Sequence, residues 1–333
     1  MPRWLGALIC LAWTLANACG GLPTVIASRE RSQVWIDTDA GFGIPGLDVD
    51  DGWAMVAAFH SKSLQVVGVS AVFGEAPMDD AYAVAGELAG LFGPSELPVY
   101  PGAESPRDLG RETNAAKALA VALQHQPLKI LALGPLTNVA TVLRLHPELQ
   151  KQIVEIVAVA GRRPTERLAW NTADTKLSVD PNFARDPEAF RTVLAASSVP
   201  LTLVPLEAAS NVRIGEGELH RLEAGGEAAR TLAGPSREWL ALWRERFGIE
   251  GFSPFEAAAA MVLSTPAIAH CGSEPAEIVL ALPEGPYLLA SPSFHGNRVV
   301  RYCAALHPQF KEALLRRILA EEEFIFHDEP NLR

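Results

Sequence analysis

The chain has 333 residues, of which 49% are hydrophobic and 20% are charged, and its formal net charge at pH 7 is −11. This length and composition are those of a globular protein that can bury a substantial core. The acidic balance and the absence of a Lys/Arg run argue against a nucleic-acid partner, because phosphate binding relies on clustered basic residues.

The first residues have the layout of a secretory signal peptide. Arg3 precedes an apolar run from Trp4 to Leu15, and the small-x-small pattern Ala16-Asn17-Ala18 follows. The run is too short for a comfortable membrane span, so we assign residues 1–22 to a signal peptide and expect an exported protein, either periplasmic or secreted. Two alternatives stay open: a buried first helix, and a lipid anchor at Cys19.

Signal-peptide cleavage would leave Cys271 and Cys303 as the remaining cysteines besides Cys19. In an exported protein these two could form one disulfide bond. The cysteine spacing matches no structural zinc site.

From about residue 33 the chain alternates short apolar runs with longer helical patterns. The predicted strands are SQVWIDTD, LQVVGVSAVFG, LKILALG, IVEIVAVAG and VPLTLVPL. The predicted helices between them are DDGWAMVAAFHS, DDAYAVAGELAGLFG, NVATVLRLHPELQKQ and DPEAFRTVLAAS. This alternation predicts an α/β fold with an open, mostly parallel, doubly wound sheet. We assign residues 23–333 to one domain, with an inserted helical stretch near residues 215–250.

Five aspartates lie in the stretch WIDTDAGFGIPGLDVDDGWAM, at the end of the first predicted strand. They are Asp37, Asp39, Asp48, Asp50 and Asp51. Carboxylates this close repel one another, so a folded chain tolerates them only if they are protonated, solvated or neutralised by a cation. Helix N-capping accounts for one of them, not five. A Gly-rich loop of carboxylates suits a hard cation, Ca²⁺ before Mg²⁺, and this edge of a doubly wound sheet is where ligands bind.

Two other kinds of loop share parts of this pattern. DVDDG is not an EF-hand, because position twelve counted from Asp48 is Phe59 where that loop needs a Glu. DTDAG could instead be an Asp-x-Asp nucleophile loop for phosphoryl transfer, and this alternative remains open.

Later segments extend the pattern of the aspartate loop. VVGVSAVFGE, LPVYPGAESP, LALGPLTNVATVLRLHPEL and VDPNFARDPEAF follow it in this order. Together with the loop, they resemble the inosine-uridine preferring nucleoside hydrolase family over nearly the whole mature chain. The resemblance implies hydrolysis of the N-glycosidic bond of a ribonucleoside, or of a related N-riboside, to free base and ribose by a Ca²⁺-bound water.

The resemblance also implies a set of Ca²⁺ ligands. Asp39 matches the ligand that acts as general base on the water, and Asp51 matches a second carboxylate ligand. Thr137 matches the residue whose backbone carbonyl completes the shell, although it could equally cap the helix NVATVL. Glu256 occupies the position of the family's late aspartate and can reach the cation with a longer arm.

A second group of positions matches the residues that bind substrate in the family. Asp50 matches the carboxylate that holds a ribose hydroxyl. Asn182 matches a sugar-hydroxyl contact in a Glu-x-Asn pattern, and Asp180 occupies its Glu position. Glu75 stands where the family has the Asn of a Gly-Asn pair. The inserted FGIPGLDV adds Asp48 as a further candidate, whose role the resemblance does not fix.

One departure concerns the departing base. The family's late His-Asp pair is Phe255-Glu256 here, and a phenylalanine cannot protonate a leaving group. A general acid is typically worth about 10²–10⁴-fold in rate. Arg162, Arg163 and Arg167, in a loop at about residues 162–176, could interact with the base, or they are surface charge.

Trp239 and Trp243 lie one helical turn apart and either stack on the base or belong to the core. The alternative to an enzyme is an exported nucleoside- or pentoside-binding protein with little or no activity, because Phe255 and Glu75 stand where the family has histidine and asparagine. Whether the chain forms a homo-oligomer is left open.

Overall fold

The computed structural model of the chain describes residues 31–164, 180–281, 285–296 and 298–321. The described residues from Arg31 onward belong to one compact unit, in agreement with the predicted single domain. The predicted signal peptide, Cys19 and Arg167 lie outside the described residues, and those predictions stay untested. No helix within the described ranges is long and apolar enough to cross a membrane.

One sheet runs through the described part of the chain, with the strand order β3-β2-β1-β4-β5-β6-β9-β7-β8. Its strands are β1 (Ser32–Thr38), β2 (Leu64–Ala71), β3 (Val99–Pro101), β4 (Leu128–Ala132), β5 (Ile153–Ala158), β6 (Leu201–Leu203), β7 (Ala269–Ala281), β8 (Gly285–Ala290) and β9 (Val299–Leu306). All neighbours from β3 to β9 pair in parallel, whereas β7 pairs antiparallel with both β9 and β8. The predicted mostly parallel α/β sheet is therefore confirmed.

Helices cover both faces of this sheet. They are α1 (Asp50–Phe59), α2 (Met78–Phe92), α3 (Asn114–His125), α4 (Thr137–Leu145), α5 (Pro181–Arg185), α6 (Pro187–Ala195), α7 (Leu206–Ala209), α8 (Glu216–Glu223), α9 (Glu227–Phe247), α10 (Phe255–Ser264) and α11 (Phe310–Ile318). The predicted helix 138–152 is split, because Pro147 cannot continue α4 and begins the 3₁₀ segment Pro147–Gln152 instead.

The core has two main parts, one on each side of the sheet. Side chains alternate along β1, so Val34 and Ile36 pack with α1, α2 and α8 to α11 on one face. Trp35 packs with α3, α4 and α6 on the other face. The strand is thus buried on both sides, as expected for the centre of a parallel sheet.

The predicted helical insertion corresponds to α8 and α9. Trp243 of α9 is only 4% exposed and belongs to the core, which favours the core interpretation of this residue over base stacking. Trp239 is partly buried against the same core. Helix α9 ends at Phe247, and the next residue, Gly248, has a positive φ of 67° that suits a glycine C-cap.

Cys271 of β7 and Cys303 of β9 are joined by a disulfide bond. The two residues are directly paired across the antiparallel ladder. The disulfide bond that the sequence left open is therefore present in the fold.

Candidate active site

The candidate site lies at the point where the order of strands in the sheet reverses: β2 and β3 follow β1 to one side, and β4 to β6 continue on the other side. Strand β1 pairs with β2 on one side and with β4 on the other. In doubly wound sheets a crevice opens at such a switch point, beyond the carboxyl ends of the strands. The ends of β1, β2 and β4 carry Asp39, Glu75 and Thr137, so the fold brings these three predicted site residues to one edge.

Asp37 anchors the end of β1. Its side chain is 1% exposed, and its Oδ1 atom accepts hydrogen bonds from the Ser70 hydroxyl (2.5 Å) and the Asn138 amide (2.8 Å). Burial raises the pKa of Asp37 to about 6, although these two bonds act to lower it. Asn138 also accepts from the Ala103 N–H, so this network ties β1 to the chain segments that follow β3 and β4.

Asp39 is buried just beyond the end of β1, between two glycines. Its Oδ2 atom accepts a 2.7 Å hydrogen bond from the Glu75 N–H. Burial raises the pKa of Asp39 to about 7, while that hydrogen bond and the charge of Arg185 act to lower it. A carboxyl with a pKa near neutrality is suited to accept a proton.

Gly74 and Gly134 make room for the Asp39 carboxyl group. A Cβ atom added at Gly134 would lie 2.8 Å from Asp39 Oδ1, and one added at Gly74 would overlap Asp39 Oδ2. Both positions therefore require glycine because of close approach. The sequence places these glycines at strand ends, but only the structure shows which side chain they accommodate.

Gly74→Ala is expected to displace Asp39 and to destabilise the fold by about 1–3 kcal/mol, the usual cost of overpacking. The matched control is Gly86→Ala in α2, where an added Cβ meets nothing within 4 Å. Because alanine favours helix over glycine, the control should be unchanged or slightly more stable. Thermal unfolding of both variants checks this, and equal melting temperatures would contradict the close approach.

The second aspartate pair begins helix α1. Asp50 and Asp51 occupy its first turn, where the helix dipole favours negative charge. The Asp51 Oδ1 atom accepts from the Thr38 hydroxyl. The Asp50 Oδ2 atom accepts a 2.8 Å bond from the backbone N–H of Phe255, the first residue of α10. Asp50 thereby links the N-terminal ends of α1 and α10.

Glu256 completes this cluster from α10. It is 8% exposed, and its Oε2 atom is buried with no hydrogen-bond partner among the described residues. Burial raises the pKa of Glu256, and the nearby negative charge of Asp50 raises it further. The fold thus gathers Asp51 and Glu256, two of the predicted cation ligands, around Asp50.

Thr137 is the first residue of α4 and is buried. Its hydroxyl does not cap α4; it donates a 2.6 Å bond to Asp186, the N-cap residue of α6. The cation contact predicted for Thr137 involves its backbone carbonyl and stays a prediction.

Within the described ranges, no group of three or more His, Cys, Asp or Glu side chains is already arranged to hold a metal ion. The donor chemistry nevertheless fits a hard cation, because the buried side chains offer only oxygen atoms. Three of these atoms, Asp37 Oδ2, Asp48 Oδ1 and Glu256 Oε2, are buried without a partner among the described residues. Binding of a cation would therefore require side-chain rotation toward a common point.

An ion pair stands beside Asp39. The Glu75 Oε2 atom lies 3.2 Å from a guanidinium nitrogen of Arg185, and Glu75 Oε1 accepts from the Asp48 N–H at 3.3 Å. Sequence reasoning did not single out Arg185, although it ends the same short helix, α5, that carries Asn182. These contacts hold the Glu75 carboxylate and restrict its rotation. The sugar contact predicted for Glu75 stays a prediction.

Asp180 and Asn182 fasten α5 to the sheet. Asp180 caps this helix by accepting from the Phe183 N–H (3.1 Å), and its other oxygen accepts from the Gly161 N–H (2.6 Å). The Asn182 amide donates to the Leu133 and Val159 carbonyls. Both residues therefore have structural roles at the strand ends, and the sugar contacts predicted for them stay predictions.

Arg162 and Arg163 are held by protein partners. Arg163 forms an ion pair with Glu274 through both terminal guanidinium nitrogens and lies 4.5 Å above the centroid of the Tyr302 ring. Arg162 lies 5.5 Å above the ring of Tyr287. The structure thus gives both arginines structural contacts and adds no support for their interaction with a departing base.

The comparisons with known proteins agree with this fold. The profile of the inosine-uridine preferring nucleoside hydrolase family matches residues 34–286. The chain belongs to this family. The match includes β1 to β7 together with the aspartate loop and Glu256.

Individual relatives in this family are distant in sequence. Uridine nucleosidase 1 of Arabidopsis thaliana is 24% identical over 236 residues, which cover 62% of this chain and 66% of the relative. The pyrimidine-specific ribonucleoside hydrolase RihA of Citrobacter koseri is 26% identical over 231 residues, which cover 61% of this chain and 72% of the relative. The matched segment thus spans about two thirds of the uridine nucleosidase's own length.

Solved structures of nucleoside hydrolases share the fold. The plant nucleoside hydrolase PpNRh1 superposes with a TM-score of 0.76 at 20% identity, over 87% of this chain and 100% of its own. The purine-preferring ribonucleoside hydrolase from Gardnerella vaginalis gives a TM-score of 0.74 at 17% identity, over 87% of this chain and 99% of its own. At these identities the similarity establishes the shared architecture.

Proposed function

We propose that this chain hydrolyses the N-glycosidic bond of ribonucleosides, or of a related N-riboside, to free base and ribose with the help of Ca²⁺. Membership of a nucleoside hydrolase family supports this reaction class. The observation that carries the proposal is the buried Asp39 carboxyl group, which stands at the switch point of the sheet beside the carboxylates of α1 and α10.

A bound Ca²⁺ would supply ligand positions for the ribose hydroxyls and a water, and would make that water easier to deprotonate. The candidate ligands from this chain are Asp39, Asp51, Glu256 and the Thr137 carbonyl. All of them provide oxygen atoms, as a hard cation requires.

Asp39 acts as the general base in this proposal. Its carboxylate takes the proton from the water as the water oxygen attacks C1′ of the ribose and the bond between C1′ and the base nitrogen breaks. The departing base carries away the electron pair of that bond. Positive charge that develops on the sugar is stabilised by the surrounding carboxylates, among them Asp50 and Asp51.

Phe255 gives the departing base an apolar neighbour. Its ring centroid lies 6.5 Å from that of Trp243, and its backbone is fixed by the hydrogen bond to Asp50. A hydrocarbon ring cannot donate a proton, so bases that leave readily as anions should be the better substrates.

Phe255→His is expected to raise turnover by up to about 10²-fold on nucleosides with poor leaving bases, because it introduces a possible general acid. Ca²⁺ affinity should stay unchanged, since Glu256 is retained. The matched comparison is Phe255→Asn, which has a similar polarity but no titratable proton near neutral pH. Equal turnover for the two variants would show that an acid at this position is not what limits the reaction.

Release of reducing sugar from common ribonucleosides by the unmodified protein with Ca²⁺ tests the proposed function. Free ribose and free base in equal amounts are expected. The alternative, a nucleoside- or pentoside-binding protein with little activity, is motivated by Phe255. It would give ligand-dependent thermal stabilisation without sugar release.

The predicted export of the chain belongs to the proposal, and intact-mass measurement of the exported protein would test it.

A further inference from the structure

The segment between the two aspartate pairs is a folded loop with defined turns. The Ile44 N–H donates to the Gly41 carbonyl at 3.0 Å, and the Leu47 N–H donates to the Ile44 carbonyl at 3.1 Å. Gly43 and Gly46 have φ values of 80° and 86°, a region that glycine adopts without strain. Two successive turns therefore set the direction in which the chain arrives at Asp48.

The loop is also packed in place. Ile44 and Leu47 lie against a small apolar cluster that includes Ala76, Met78 and Ala81. At its far end, the Asp48 N–H donates to Glu75 Oε1, and Glu75 is held in turn by Arg185. Packing and a hydrogen bond thus fix the backbone at Asp48.

The carboxyl group of Asp48 enters the candidate site. Its Oδ1 atom is buried and has no hydrogen-bond partner among the described residues. Burial is the main cause that raises the pKa of Asp48, and the negative charge of Asp50 is the next largest. The other carboxylates whose charges act on it are those of Glu75, Asp51 and Asp39.

An unpaired carboxylate oxygen among four like charges is stabilised either by protonation or by a positive partner. A sugar hydroxyl could donate one hydrogen bond, but it would leave the repulsion between the carboxylates in place. A divalent cation satisfies the oxygen and offsets the charge together. Glu256 is more than nine-tenths buried, and its Oε2 atom is a second carboxylate oxygen of this cluster, also unpartnered among the described residues, that a cation would satisfy.

We infer that Asp48 is an additional ligand of the cation bound at this site, supplied by the loop of residues 41–48. The inference rests on the proposed cation, not on the proposed hydrolysis. It extends the ligand set of Asp39, Asp51, Glu256 and Thr137 by one carboxylate.

Ca²⁺ titration calorimetry on the metal-free full chain tests this inference, with Asp48→Asn as the variant. Removing the ligand charge should weaken Ca²⁺ binding by about 10- to 100-fold, the range found when a supporting residue of a metal site is lost. The matched control is Asp80→Asn, which makes the same chemical change at an exposed position of α2 and should bind Ca²⁺ like the unmodified protein.

Thermal unfolding gives a second readout that distinguishes a ligand from a residue that merely supports the fold. Without Ca²⁺, Asp48→Asn should melt at the same or a higher temperature than the unmodified protein, because one of the repelling charges is gone. With Ca²⁺, its gain in melting temperature should be smaller. Asp48→Ser should show the same two changes, so a folding defect in one variant would not decide the result.

Unchanged or tighter Ca²⁺ binding by both Asp48 variants would overturn the inference, and so would an unmodified protein that binds no Ca²⁺. Sugar release, measured on the same samples, decides the proposed function separately. Weaker Ca²⁺ binding by the variants together with an inactive unmodified protein would support the ligand role of Asp48 and contradict hydrolysis.

Discussion

Asp39→Asn is expected to reduce the rate of sugar release by about 10²–10⁴-fold, the usual contribution of a general base. The amide has nearly the same volume and still accepts the 2.7 Å hydrogen bond from the Glu75 N–H, so the fold should be preserved. The amide cannot take a proton from water. The loss should therefore appear in kcat, with a smaller change in KM.

The control for this variant is Asp80→Asn, in which the same chemical change falls on an exposed residue. Steady-state kinetics on one ribonucleoside with saturating Ca²⁺ would compare the two. Turnover of Asp39→Asn within a few-fold of the unmodified protein would remove the general-base assignment. A lower melting temperature together with lost activity would point to a structural role for Asp39 instead.

Removal of the cation is expected to abolish sugar release and to destabilise the protein more at pH 8 than at pH 5. Burial raises the pKa of Asp37 to about 6 and that of Asp39 to about 7, from an ordinary value of 3.8. At a pH between the ordinary pKa and the raised pKa, these two carboxyl groups are deprotonated in the unfolded chain but still protonated in the folded, metal-free protein. The stability of the metal-free protein therefore falls as the pH rises from about 4 to about 7.

A cation binds the deprotonated carboxylates, so its stabilising effect should grow over the same pH range. At a Ca²⁺ concentration of 100 times Kd, the gain at pH 8 would be about 2.7 kcal/mol, which corresponds to several degrees in Tm. Melting curves with Ca²⁺ and with a chelator, recorded at both pH values, measure the difference. An identical effect of chelation at pH 5 and pH 8, or no effect at either, would contradict the carboxylate cation site.

Most strands of the central sheet were predictable because each is a short, apolar segment rich in β-branched residues. The five predicted strands correspond to β1, β2, β4, β5 and β6. Strand β3 has only three residues, and β9 lies between β6 and β7 in the sheet although it follows β8 in the chain, an order that hydrophobic periodicity does not encode. Helix α3 was also not predicted, although Thr113 accepts from the Ala116 N–H and provides an N-cap of the usual kind.

The site was predictable to the extent that its residues follow one another in short motifs. Asp39, Asp50 and Asp51 are near neighbours in sequence, and the structure brings them together with Glu256. The contact between the Phe255 N–H and Asp50 joins residues 205 positions apart, and the ion pair between Glu75 and Arg185 joins residues 110 positions apart. Contacts of this range depend on the packing of complete helices, so a single sequence does not reveal them.

The position of β9 in the sheet has a consequence for how the protein acquires its structure. Strand β6 ends at Leu203, but its outer neighbour β9 begins only at Val299. A growing chain that has completed β6 therefore carries an open, unpaired strand edge until the C-terminal region has emerged. Such an edge can pair with other chains and cause aggregation. Late closure of this edge predicts that chains truncated between Glu256 and β9 will be poorly soluble, even though they retain every residue proposed for the site.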